Sequence, residues 1–242
     1  MKLFLAGSGL TRVWLDEDFY NFYRLQTFYH ISEKEAKVLH KYKDFLLDSG
    51  AFSMFSGIKV DIKEYVDKYI EFINKYDIKN FFELDLYELI GTKETEELRK
   101  YIEDKTKKLT IPVWHIYLGT DYYKKLCNDY NYIAIGASGQ HDSKWTRKDP
   151  DKLKKLVQYA NSKKVRVHGL GYTNHKGLSE IPFYSVDSTS WLSGNRFGSV
   201  YEFKNNKMSK HLKPEGMRVK TYETAKNNFD QWVSYQIYLD SI

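Results

Sequence analysis

Cysteine is almost absent from this 242-residue chain, in which Cys127 stands alone. A single thiol excludes an internal disulfide framework and every multi-cysteine structural zinc site. Proline is scarce too, at four residues, and no low-complexity linker or internal repeat interrupts the chain. No apolar run approaches the ~20 residues that a membrane span requires. The opening Met1-Lys2-Leu3-Phe4-Leu5-Ala6-Gly7 is too short an apolar stretch for a secretory leader. The patterns G-x-G-x-x-G, G-x-x-x-x-G-K-[ST] and G-x-S-x-G are missing, so fingerprints for nucleotide binding and serine hydrolysis are lacking. These absences predict a cytoplasmic protein with no membrane partner.

What is abundant is aromatic and basic. There are 38 Lys and Arg against 32 Asp and Glu, a formal net charge of +6, and 21 of the residues are Tyr. That surplus by itself favours no more than solubility or loose attraction to polyanions. Bases stack on aromatic faces while phosphates meet Lys and Arg, so a segment holding both types is a candidate nucleic-acid contact. Ser143-Lys144-Trp145-Thr146-Arg147-Lys148 is such a segment. Equally, it reads as a solvated loop whose Trp tucks into the core.

Short apolar runs bounded by Gly or Asp alternate with amphipathic stretches, the pattern of buried parallel strands joined by helices. Runs at Leu3–Ala6, Phe45–Leu47, Asn80–Asp85, Pro112–Leu118, Tyr132–Ile135, Arg166–His168 and Phe183–Val186 are expected strands. Ile62, Tyr65, Val66, Tyr69, Ile70 and Ile73 share one helical face, with Asp61 as N-cap and Glu64 as its capping-box partner. Glu94–Lys107 and Asp151–Ser162 repeat the pattern, the latter after Pro150. A hairpin around Asn205-Asn206 and a closing helix over Thr221–Leu239 complete the chain. This alternation predicts an α/β fold, a single (β/α)8 TIM-type barrel domain over residues 1–242 with no zinc subdomain.

In such a barrel the active site sits at the C-terminal strand ends. Those ends carry Asp48, Asp85, His115, Gly136–Gly139, His168–Gly171 and Asp187. Three carboxylates converging on one rim push each other's pKa values apart and suit reaction at an acetal-like carbon. Asp48 and Asp187, each followed by Ser, also read as turn formers. His115, His168 and His175 together with Asp85 are in principle a metal set, although isolated histidines are more often hydrogen-bonded pocket residues. Cys127 reads as a buried helix residue.

Leu47-Asp48-Ser49-Gly50-Ala51-Phe52-Ser53 resembles the D-S-G-G-F-Q motif of the tRNA-guanine transglycosylase family. Val186-Asp187-Ser188-Thr189-Ser190-Trp191 is similar to its nucleophile motif. Ala134-Ile135-Gly136-Ala137-Ser138-Gly139 and Val167-His168-Gly169-Leu170-Gly171 are similar to its two glycine segments, all four in the family order. The family's C-x-C-x-x-C…H zinc motif is absent, and Ala51 and Ser53 replace a Gly and the Gln. That compact pattern resembles the DNA-modifying, phage-type relatives that insert 7-deazaguanines.

The resemblance implies exchange of guanine for a free 7-deazaguanine base (preQ0 or preQ1) in DNA, with tRNA as the alternative substrate and no cofactor. It implies Asp187 as nucleophile at C1′ and Asp48 as the group that protonates the departing base. It implies base contacts from Asp85, Gly136, His168, Leu170 and Gly171, with stacking by Phe52 or Tyr172, and the host cytoplasm as location for a phage-encoded chain. Lys144, Arg147, Lys148 and Arg196 are the expected nucleic-acid contacts. A non-catalytic nucleic-acid-binding barrel and a nucleosidase, in which water replaces the incoming base, remain as other readings.

Overall fold

A computed structural model describes residues 1–7, 20–51, 61–137, 139–172, 174, 178, 180–213, 216 and 220–242, with the side chains at 139–141, 143, 195, 196 and 221 outside the description. Seven strands are β1 (Lys2–Ala6), β2 (Tyr23–Thr27), β3 (Asp44–Asp48), β4 (Val113–Trp114), β5 (Tyr132–Gly136), β6 (Arg166–Leu170) and β7 (Ser185–Ser188). They form one parallel sheet in the order β3-β2-β1-β7-β6-β5-β4. The chain is therefore α/β, with a curled, barrel-like sheet. Residues 81–82 touch both of its edges: Leu47 bridges Phe81, and Phe82 bridges Ile111, each in the parallel sense.

Period-two alternation sorts the strand residues into two layers. Phe4, Ala6, Tyr23, Leu25, Leu46, Phe82, Ile111, Val113, Tyr132 and Ala134 pack together inside the curl. Their neighbours Leu3, Leu5, Leu47, Ile133, Ile135, Val167 and Val186 face the helices. Those helices are α1 (Ile62–Lys75), α2 (Thr92–Thr106), α3 (Gly119–Asp129), α4 (Gly139–Lys148), α5 (Pro150–Ser162) and α6 (Thr221–Ser241). The expected face of α1 is buried, and the Asp61 carboxylate accepts the Glu64 N–H at 3.0 Å as its cap. In α5 Pro150 opens the helix after the Asp149 cap. Cys127 is buried on α3. Among the described residues no helix is long and apolar enough to cross a membrane.

Several elements differ from the sequence expectation. Strand β2 has no counterpart among the expected runs, because Arg24 and Gln26 interrupt its apolar pattern. Both are buried on its outer face, where the fully buried Glu35 takes Arg24 Nη2 at 3.0 Å and Gln26 Nε2 at 3.0 Å. The run at Asn80–Asp85 shrinks to the two bridging residues, since the chain leaves sheet geometry once Glu83 turns its side chain to Arg99 and the Val113 N–H. The run at Pro112–Leu118 keeps only Val113–Trp114 as strand, and Ile116–Leu118 coils into a 3-10 turn. The segment at 143–148 is helical, not a loop. The hairpin is present as β8 (Ser199–Lys204) and β9 (Lys207–Leu212), turning at Asn205 and Asn206 with φ of 52° and 61°.

Candidate active site

Parallel strands bring their C-terminal ends to one side, and the inward-facing positions there decide what a ligand would meet. Asp48 ends β3 two residues beyond the inward Leu46, so its side chain has the inward parity. Its Oδ1 accepts the Gly50 N–H at 3.1 Å, and the Tyr65 hydroxyl donates to the Ser49 carbonyl at 2.6 Å, pinning the turn. Burial raises the Asp48 pKa to about 6; the Gly50 N–H opposes this, while the charges of Asp187 and Asp85 add to it. The three carboxylates thus share one electrostatic neighbourhood.

Asp85 follows the bridging residues 81–82 next to β3, and His115 follows β4. Both Asp85 oxygens lie near His115 Nε2, at 2.9 and 2.8 Å, and His115 Nδ1 lies 2.7 Å from Asp142 Oδ2. Burial works against a charged imidazole, yet hydrogen bonds and charge from Asp142 and Asp85 push its pKa up to about 10. The ring lies between two carboxylates, an arrangement that favours its charged form, with Tyr117 stacked on it at 5.3 Å. Gly136 makes room for this: a Cβ there would stand 2.6 Å from His115 Nδ1. Gly136, an expected base contact, thus packs against the His115–Asp142 pair.

Asp187 lies on β7 opposite Phe4 of β1 and is 6 % exposed. Its Oδ1 accepts the Gly171 N–H at 2.5 Å and faces His168 Nε2 at 3.2 Å. Gly171 adopts φ of 69°, a conformation that suits glycine and turns its N–H toward the carboxylate. His168 is fully buried, and its second nitrogen is 2.7 Å from Ser185 Oγ. Leu170 ends β6 with its carbonyl accepting the Ala137 N–H at 3.0 Å and its side chain against the inner cluster. Tyr172 is buried against Phe183. Phe52 and His175 lie outside the described residues.

The basic segment divides between the two roles its sequence offered. On α4 the Trp145 indole N–H donates to Asp142 Oδ1 at 3.2 Å and its ring meets Trp114 edge-on. Lys144, Arg147 and Lys148 are exposed on the other side of the same helix. Arg196 falls on the short helix Ser193–Phe197 after β7, its side chain outside the description.

Asp142 is the site residue that spacing does not reveal, because a contact 27 residues distant from His115 leaves no local pattern. Its one signal is parity on a helix: Asp142, Trp145 and Thr146 form one inward stripe. Among the described residues no group of three His, Cys, Asp or Glu side chains is arranged to hold a metal ion. His115 and His168 each have both ring nitrogens engaged by side chains.

Chemically, the site offers a carboxyl group whose pKa burial raises to about 6, and a second carboxylate with one oxygen held. A third is paired with His115. A hollow of about 350 Å³ lined by Lys164, Arg166 and Tyr184 lies at the opposite, N-terminal end of the strands, away from this chemistry. No protein-family model matches the chain, and no curated protein matches it.

Proposed function

We propose that the chain is a guanine transglycosylase acting on DNA, built on a (β/α)8 barrel in which residues 81–82 serve as the eighth staved position. The bridges from that segment to Leu47 and Ile111 support the closure. The feature that carries the function is the placement of Asp48, Asp85 and Asp187 at the same end of the sheet, where burial and the charges of the other two push the Asp48 pKa up to about 6. A general acid–base group works best with a pKa near the working pH, and neighbouring carboxylates supply the shift.

In the reaction, a carboxylate oxygen of Asp187 attacks C1′ of a deoxyguanosine. The C1′–N9 bond breaks, and Asp48 gives its proton to the departing guanine. Asp48 then takes the N9 proton of the incoming 7-deazaguanine, whose nitrogen attacks C1′ and releases Asp187. Both groups return to their starting states, so no redox partner enters the balance. Asp85, oriented by His115, accepts hydrogen bonds from the N–H edge of the purine. A base reaches this pocket only by leaving the helical stack. Lys144, Arg147 and Lys148, on the helix that follows β5, attract the phosphates.

The test is mass spectrometry of nucleosides from DNA and from tRNA incubated with protein and preQ0 or preQ1. A deazaguanine nucleoside appearing in DNA, and its loss in Asp187→Ala, is expected. Incorporation into tRNA alone transfers the activity to RNA. Free guanine released without an incoming base identifies a nucleosidase, and no change in either polymer leaves a binding barrel.

A further inference from the structure

A nucleophilic carboxylate has two oxygens, and the reaction uses one. In Asp187 the two are not equivalent. Oδ1 takes the Gly171 N–H and the His168 Nε2 contact, whereas Oδ2 makes no hydrogen bond to the described residues. Behind Oδ1 a buried chain runs down the inside of the curl. His168 Nδ1 meets Ser185 Oγ at 2.7 Å, and Ser185 Oγ meets the Tyr132 hydroxyl at 2.6 Å. Three strands, β5, β6 and β7, each contribute one member.

The direction of this chain follows from what each group can donate. A carboxylate only accepts, so the His168 proton facing Asp187 sits on Nε2. Nδ1 is then an acceptor for the Ser185 hydroxyl, which in turn accepts from Tyr132. Every proton in the chain has a partner in that sense. In the opposite sense the Tyr132 hydroxyl proton finds no other acceptor among the described residues. The His168 ring is also boxed, with Phe82 at 5.2 Å and Phe4 at 6.2 Å, so it stays aimed without solvent contact.

We propose that His168 is a positioning residue: backed by Ser185 and Tyr132, it clamps Oδ1 of Asp187 together with the Gly171 N–H and presents Oδ2 to the anomeric carbon. This rests on the transglycosylase reading and changes the role of His168 from base contact to support of the nucleophile. In the covalent intermediate Oδ2 is the ester oxygen bonded to C1′ and Oδ1 is the carbonyl oxygen. When the incoming base attacks, the C1′–Oδ2 bond breaks and its electron pair returns to the carboxylate. Donors on Oδ1 stabilise that returning charge, so the clamp serves both halves of the reaction.

The experiment compares His168→Gln, His168→Asn and His168→Leu with wild type, with Tyr132→Phe as a milder perturbation that keeps the ring. Gln places an amide N–H where Nε2 stood and Asn places one only on the Ser185 side. His168→Leu and His168→Asn should lower kcat about ten- to a hundred-fold with KM for DNA little changed, the usual scale for a supporting partner. His168→Gln should recover most of that loss, and Tyr132→Phe should lose a few-fold. A purely structural histidine would show no Gln-over-Asn rescue. Independently of activity, ¹⁵N shifts of the wild-type ring should report the Nε2–H tautomer. The Nδ1–H tautomer, or equal kcat in wild type and His168→Leu, overturns the clamp while leaving the transglycosylase reading intact. A wild-type protein that exchanges no base overturns that reading, and the positioning role with it.

Discussion

Replacing Asp48 with Asn should make this protein more stable at neutral pH while abolishing base exchange. Asp48 is part-buried, and its pKa stands at about 6 where an unperturbed Asp has 3.8. One pKa unit corresponds to about 1.4 kcal/mol. The folded state therefore holds the Asp48 proton more tightly than the unfolded chain does. That contribution is complete below pH 3.8 and is lost as pH rises through about 6. Ionised Asp48 costs about 3 kcal/mol at pH 7.5 but less than about 1 kcal/mol near pH 4. Asn keeps an oxygen for the Gly50 N–H and carries no charge beside Asp187 and Asp85. Urea unfolding of both proteins between about pH 4 and 7.5 reads the difference. The advantage of Asp48→Asn should widen across that range toward about 3 kcal/mol, an upper bound because the cleft relaxes. A variant no more stable than wild type at pH 7.5, with no widening, refutes the picture of crowded carboxylates.

Other outcomes follow from the same geometry. His115 titrates at about 10 when folded against 6.5 unfolded, so its stabilisation is full below pH 6.5 and is lost as pH rises through 10. The stability advantage of wild type over His115→Asn should shrink over that window in denaturant titrations; a level advantage contradicts the imidazolium assignment. Glu35→Ala leaves Arg24 buried without its carboxylate and should cost about 3–5 kcal/mol in urea unfolding; a loss under about 1 kcal/mol would show that the pair contributes little. Changing Lys144, Arg147 and Lys148 to Ala together should reduce the salt dependence of DNA binding, by about one log–log slope unit for each phosphate no longer neutralised. An unchanged slope in fluorescence anisotropy removes α4 from the interface.

The sequence disclosed what is local or periodic. Asp61 announced the start of α1, Pro150 that of α5, and paired asparagines the hairpin tip. The apolar runs that lead into Asp48, Gly136 and Asp187 are short and clean, so the rim was legible from strand ends alone. Strand β2 was not, because the partner that allows Arg24 and Gln26 to be buried, Glu35, comes from the short helix Glu33–Ala36 that follows. Asp142 was hidden for the same reason: its meaning depends on His115 arriving from another strand. His168 was visible as a residue, but its depth beneath Asp187 was not, since a motif records order and not which layer of the sheet interior a side chain fills.

Phe4, Phe82, Tyr132 and His168 pack inside the curl at the level of Asp187 and on its N-terminal side, so the sheet interior there is filled by side chains. A filled interior bars approach from the N-terminal side, so whatever meets Asp187 comes from the C-terminal ends of the strands. For the proposed base exchange this leaves one side for both the outgoing and the incoming purine, so added guanine should slow incorporation by competing for it.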